Sequence, residues 1–144
     1  MFFGEYRHNI DAKGRLSIPA KMRLECIDNK VVVVRGHDEC LELYTTGEWL
    51  KFYKEQMTLN RKKKKNRDYM RLLGSRVCEC EFDKLGRINI PANLRDEGHL
   101  KKECVIIGIG ETAEIWDRER WDSFYGDNRD SFDDLSEDIG DDEE

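Results

Sequence analysis

The chain repeats itself. Asp11-Ala12-Lys13-Gly14-Arg15 returns 72 positions later as Asp83-Lys84-Leu85-Gly86-Arg87. The same offset carries Ile18-Pro19-Ala20 onto Ile90-Pro91-Ala92, Arg23 onto Arg95, Val33 onto Val105, Gly36 onto Gly108, Glu42 onto Glu114, Trp49 onto Trp121 and Phe52-Tyr53 onto Phe124-Tyr125. Matches of Asp, Gly, Pro and Trp in one register, with no gap across more than forty residues, mark a duplicated module. A unit this small buries too little surface to stand alone. The two copies are therefore expected to intertwine or pack face to face around one barrel-like core, with a pseudo-twofold that mimics a homodimer.

Each copy reads as a short strand, the D-x-x-G-R turn, a second strand and a short helix. Arg15-Leu16-Ser17-Ile18 and Arg87-Ile88-Asn89-Ile90 alternate polar and apolar residues, the period of a half-buried strand. Pro19 and Pro91 end these strands or open the helical turns near 20–25 and 92–97. A β-branched run follows, Val31–Val34 or Val105–Ile107, with Gly36 and Gly108 expected at hairpin turns. The returning strands are Leu41–Tyr44 and Ala113–Trp116. Thr45 or Thr46, and Asp117, can cap the helices carrying Trp49/Phe52/Tyr53 and Trp121/Phe124/Tyr125, aromatics whose helical spacing suits packing. The expected organisation is module 1 over 5–47, a helical basic linker over 48–76, module 2 over 77–120, and a helix end with a disordered acidic tail over 121–144.

Charge divides the same way. The net charge is -6, yet residues 126–144 hold ten Asp/Glu and one Arg, so residues 1–125 carry +3. A mildly basic body suggests a nucleic-acid or membrane partner, or a tail that competes for the basic face. The run Arg61-Lys62-Lys63-Lys64-Lys65-Asn66-Arg67 is either a solvated face or a phosphate-contacting patch. No apolar run reaches the ~20 residues of a membrane helix, and no export signal is expected at the N-terminus. The five cysteines include no C-x-x-C pair, which argues against a zinc site and leaves reduced thiols in a cytoplasmic protein as the expectation. His8, His37 and His99 show no ligand spacing, and Gly108-Ile109-Gly110 lacks the Lys-Ser/Thr of a phosphate loop and reads as a hairpin turn. No catalytic residue, metal, cofactor or small-molecule substrate is expected.

The D-x-x-G-R turn carries the chemistry. Asp11 and Asp83 can accept from backbone N–H groups just ahead, and Gly14 and Gly86 permit a positive φ. Asp and Arg four apart across a tight turn can pair and aim the guanidinium. That explains a stable hairpin. It also explains a DNA-binding face, because an aimed Arg fork can take guanine O6 and N7 or a phosphate in two parallel bonds. The candidate DNA-binding residues are Arg15, Lys13, Arg87 and Lys84, shaped by Asp11, Gly14, Asp83 and Gly86. Arg7, His8, Arg23 and Arg95 are further candidates for the same patch.

The opening Met1-Phe2-Phe3-Gly4-Glu5-Tyr6, the run Ile10–Pro19 with Arg23 after it, and Phe82–Pro91 together closely resemble MraZ proteins, bacterial regulators with tandem SpoVT/AbrB-type modules. The resemblance covers about residues 1–125. It implies a mostly β (α+β) fold: a duplicated swapped-hairpin β-barrel. It implies a ring-shaped homo-oligomer in the cytoplasm, associated with the nucleoid. The partner would be double-stranded DNA, at short direct repeats in the promoter of the protein's own division and cell-wall operon. The family's D-x-x-x-R motif falls on Asp11 and Arg15 and on Asp83 and Arg87. Leu85 stands where the first copy has Lys13, so the second turn is expected to contact DNA less strongly or to serve mainly structure. A competing reading is an antitoxin-like interaction module that grips a protein through the acidic tail, whose apolar anchors are Phe132, Leu135 and Ile139. The tail could also mask the basic face.

Overall fold

The computed structural model describes the backbone of residues 1–142 and the side chains of residues 1–139. The first copy contains β1 (Phe2–Asn9), β2 (Arg15–Ser17), α1 (Ala20–Arg23), β3 (Lys30–Arg35), β4 (Leu41–Tyr44) and α2 (Thr46–Gln56). After α3 (Lys64–Gly74), the second copy repeats the order as β5 (Val77–Glu81), β6 (Arg87–Asn89), α4 (Ala92–Glu97), β7 (Glu103–Gly110), β8 (Ala113–Asp117) and α5 (Arg118–Asn128). A 3-10 turn at Arg129–Ser131 leads into α6 (Phe132–Asp142).

Neither copy is complete by itself. The six longer strands form one antiparallel sheet in the order β1-β7-β8-β4-β3-β5, and β2 pairs only with β6. The first strand of each copy therefore pairs with the long strand of the other, β1 with β7 and β5 with β3. Two pairings are between repeat counterparts, Leu16 opposite Ile88 and Glu42 opposite Glu114. A residue that faces its own counterpart lies on the pseudo-twofold, as in an isologous dimer interface.

The core follows from strand alternation. Val31 and Val33 turn inward with Leu41, Leu43, Ile106 and Ile115, while Leu16 and Ile88 of the β2–β6 ribbon close over them. Val32 and Val34 face outward beneath Tyr44 and Leu73, with Trp49 and Phe52 of α2 and Met70 of α3 packed against them. Both faces of β3 are thus covered, which explains its uninterrupted valines. The aromatics repeat as Tyr44/Trp49/Phe52 and Trp116/Trp121/Phe124, with ring centroids 5.4–5.8 Å apart.

Four expectations change. The sheet is open, not a closed barrel: β1 and β5 remain as edges, because β2 and β6, three residues each, bond to each other and not across those edges. The repeat register slips in one strand. In the core Val31 and Val33 correspond to Cys104 and Ile106, not to Glu103 and Val105. One more residue precedes β7 than β3, and the following hairpin is one shorter. Ile109 pairs with Thr112 around Gly110-Glu111, where the first copy pairs Gly36 with Cys40 around three residues.

Gly108 accordingly lies within β7, not at a turn. It faces Gly4 of β1, and a Cβ on it would come 2.3 Å from the Phe3 nitrogen. Close backbone approach explains this glycine. Finally, the acidic segment expected to be disordered is helical through Asp142; residues 143–144 lie outside the described residues. Phe132, Leu135 and Ile139 recur at helical spacing, and Asp133 and Asp134 sit in the first turn of α6, where the helix dipole favours negative charge.

Candidate nucleic-acid interface

Each D-x-x-G-R segment folds around its aspartate. Asp11 Oδ1 accepts from the backbone N–H of Lys13 at 3.0 Å and of Arg15 at 2.9 Å, and Oδ2 accepts from Arg15 Nε at 2.7 Å. The second copy repeats this closely: Asp83 Oδ1 accepts from Leu85 and Arg87 N–H, both at 2.9 Å, and Oδ2 from Arg87 Nε at 2.8 Å. Gly14 (φ 88°) and Gly86 (φ 76°) hold the left-handed conformation and donate back to the Asp11 and Asp83 carbonyls at 2.9 and 3.0 Å. The Arg15 and Arg87 backbone N–H groups, followed by the guanidinium bonds, hold Asp11 and Asp83 below their ordinary value of 3.8.

The two turns are joined by the β2–β6 ribbon. Leu16 and Ile88 point into the core, so Arg15, Ser17, Arg87 and Asn89 share the outer face. Arg15 lies opposite Asn89 and Arg87 opposite Ser17, which makes the two arginines diagonal neighbours, on the order of 7–8 Å apart. The glycine carbonyls lock the arrangement reciprocally: Ile18 N–H donates to Gly86 O at 3.1 Å, and Ile90 N–H to Gly14 O at 2.8 Å.

A second pair of arginines crosses over. Arg95, from α4 of the second copy, lies against Gly14 of the first, where a Cβ would come 3.1 Å from its Nε and Cζ. Arg23, at the end of α1, lies against Gly86, where a Cβ would come 2.2 Å from its Nη1. Each turn thus holds one arginine from each copy. Arg23 and Arg95 are expected in the basic patch from the sequence, but this exchange between copies is not. The only available signal was their matched place after each proline, which fixes the position in the module and not the copy it reaches.

The donor inventory is uneven in a useful way. Nε of Arg15 and Arg87 is held by aspartate and Nε of Arg23 by the Ile18 carbonyl at 3.1 Å, while Arg95 Nε is buried without a partner. The Nη groups of all four have no hydrogen-bond partner among the described residues. Lys13 and Lys84 are exposed on the same turns. Other candidates lie elsewhere. Arg7 pairs with Asp122 at 2.8 Å and also with Glu5, which ties β1 to α5. His8 lines a different hollow with Arg7 and Arg118. In the basic run, Arg67 caps the loop before α3 through the Arg61 and Lys62 carbonyls at 2.9 and 3.0 Å, while the lysines are exposed.

No group of three or more His, Cys, Asp or Glu among the described residues could hold a metal ion, and no described helix is long and apolar enough to cross a membrane. Four thiols are buried and Cys78 is half-buried; burial pushes Cys26 up to about 11. A family model described as "MraZ protein, putative antitoxin-like" matches residues 1–72 and again 75–142. Each span holds one copy; the first runs on into α3 and the second takes in α6.

Proposed function

The chain belongs to the MraZ family, and from that premise we propose that it is a sequence-specific DNA-binding transcriptional regulator, not an enzyme. Its target is a set of short direct repeats in the promoter of its own division and cell-wall operon. It works in the cytoplasm at the nucleoid, as a ring-shaped homo-oligomer whose paired copies correspond to swapped-hairpin modules. The observation that supports this reading best is the set of four guanidinium groups gathered at one ribbon and its two turns, whose Nη groups have no hydrogen-bond partner among the described residues.

The division of labour follows from how each arginine is held. Arg15 and Arg87 are clamped at Nε by a carboxylate, so each presents a fork of fixed direction, the form suited to a base edge. Arg23 and Arg95 are not balanced by a carboxylate among the described residues and supply net charge for phosphates. Lys13 and Lys84 add flexible charge at the turn tips. A single unit with a few such contacts binds weakly, with a nonspecific Kd on the order of 10^-4 to 10^-6 M at physiological salt. Several units meeting spaced repeats raise the avidity of the assembly without a new contact.

A salt-titrated binding assay on the fragment upstream of the protein's own gene tests the proposal, with wild type and Arg15→Ala in parallel. Salt-sensitive binding whose preference for that fragment Arg15→Ala abolishes supports it. Binding indifferent to the fragment and to Arg15 sinks it. The exposed apolar residues of α6 favour a second reading, the antitoxin-like module. Failure to bind DNA at low salt, together with capture of a defined protein partner through α6, would move the function there.

A further inference from the structure

The two copies differ most after their aromatic helices. In the first, α3 folds back so that Leu73 is buried with Val32, Val34 and Tyr44, and Met70 packs beside them. In the second, the following helix is α6, whose main neighbour is the 3-10 turn before it. Its apolar residues face outward: Phe132 is 74% exposed, Leu135 53% and Ile139 59%. They lie at i, i+3 and i+7, one stripe of a helix. Asp133, Asp134, Glu137 and Asp138 occupy the rest of the circumference.

A groove of matching character lies between α2 and α3. It encloses about 430 Å³ over Met57, Leu59 and Met70, with Arg61, Arg67 and Arg71 on its walls. Met57 is 57% exposed although it forms part of an apolar floor. Arg67 stiffens one wall through its bonds to the Arg61 and Lys62 carbonyls. From Arg61 to Arg67 the chain carries six cationic side chains and no acid; from Phe132 to Ile139 it carries four acids and no base.

We propose that the α2–α3 groove of one copy of this chain receives α6 of a second copy, apolar stripe down and carboxylates toward the arginine walls. Burying the stripe removes Phe132, Leu135 and Ile139 from water together with Met57 and Leu59. The opposite charges on the walls fix the orientation and speed the encounter. The surfaces joined are different, so the contact is heterologous and leaves a groove and a helix free at the two ends. Such a contact repeats from chain to chain and makes a ring where the rotation between neighbours closes. This inference rests on the homo-oligomer part of the proposed function and names the surfaces that build it; it is independent of the DNA site, since none of the four turn arginines takes part.

Light scattering on the full chain tests it, with Leu135→Asp, Met57→Asp and an equimolar mixture of the two. Both positions are exposed, and circular dichroism checks that each variant is folded. Wild type is expected at a multiple of 17.0 kDa and each variant at the single-chain mass. Their mixture is expected to recover twice that mass and stop there, because only one intact groove and one intact helix remain to meet. A wild-type mass kept by either variant, or two monomeric variants that fail to recombine, overturns the proposed contact while leaving another ring interface open. A monomeric wild type overturns both the contact and the ring, and DNA binding is then judged separately by the promoter assay.

Discussion

Arg23 of the first copy lies so close over Gly86 of the second that a Cβ there would come 2.2 Å from its Nη1. Arg95 and Gly14 form the reciprocal pair, but there the first obstacle is the Ile90 carbonyl at 2.7 Å. The two glycines therefore differ in what an alanine would cost. A guanidinium tip can swing aside, whereas a carbonyl fixed by the ribbon cannot. Gly110 (φ 109°) has nothing within 4 Å of the corresponding position, so it isolates the conformational cost, about 1–2 kcal/mol for a left-handed residue that is not glycine. Denaturant unfolding should rank the losses Gly14→Ala, then Gly86→Ala, then Gly110→Ala. In DNA binding Gly86→Ala should exceed Gly110→Ala, because it displaces Arg23. Equal stability losses at all three positions would show that the close approaches carry no energy.

Much of this was legible because the repeat is a constraint on partners as well as on sequence. The doubled Asp, Gly and Arg announce two equivalent turns, and Leu16 and Ile88 show which side of each short strand is buried. The alternation cannot say which strand a strand pairs with. The crossings of β1 to β7 and of Arg95 to Gly14 are decided by long-range packing that leaves no local period. The one-residue slip at β7 was hidden by chemistry: Val105 and Ile106 are both β-branched, so either register satisfies the pattern. Gly108 was misleading because a glycine at a turn and a glycine under a crossing backbone look alike in a sequence. In the tail, charge outweighs three apolar residues in composition but not in helical periodicity.

Acid should loosen the turns before it reaches the core. Asp11 and Asp83 are held below their ordinary value of 3.8, first by the Arg15 and Arg87 backbone N–H groups. A carboxyl depressed in the folded state favours folding above its unfolded value, and that contribution is lost as pH falls through the folded value. The affected window therefore begins near pH 4 and extends downward. NMR titration of the carboxyl carbons should place both midpoints under 3.8, and Asp11→Asn with Asp83→Asn should flatten the stability profile in that window alone. Midpoints at or above the ordinary value would mean that the turn bonds do not form in solution.

Arg15 and Arg95 stand at the same turn with different restraints, and salt should separate them. Arg15 is anchored by Asp11 and aimed; Arg95 has no partner for its Nη groups among the described residues and is balanced by no carboxylate. If Arg95 meets a phosphate, Arg95→Ala weakens promoter and unrelated DNA about equally and lowers the slope of log K against log salt by about one. Arg23→Ala should behave alike at the second turn. If Arg15 reads a base edge, Arg15→Ala costs about 1–3 kcal/mol on the promoter and much less on unrelated DNA, so the ratio between them collapses. Arg15→Lys keeps the charge and should keep most of the salt slope, yet it loses the ratio, because an ammonium cannot present a fork. Titrations of the four variants on both DNAs measure slope and ratio independently. A uniform loss for Arg15→Ala, with selectivity intact, would assign the aimed arginine to the phosphate backbone and leave sequence choice to other residues or to the shape of the DNA.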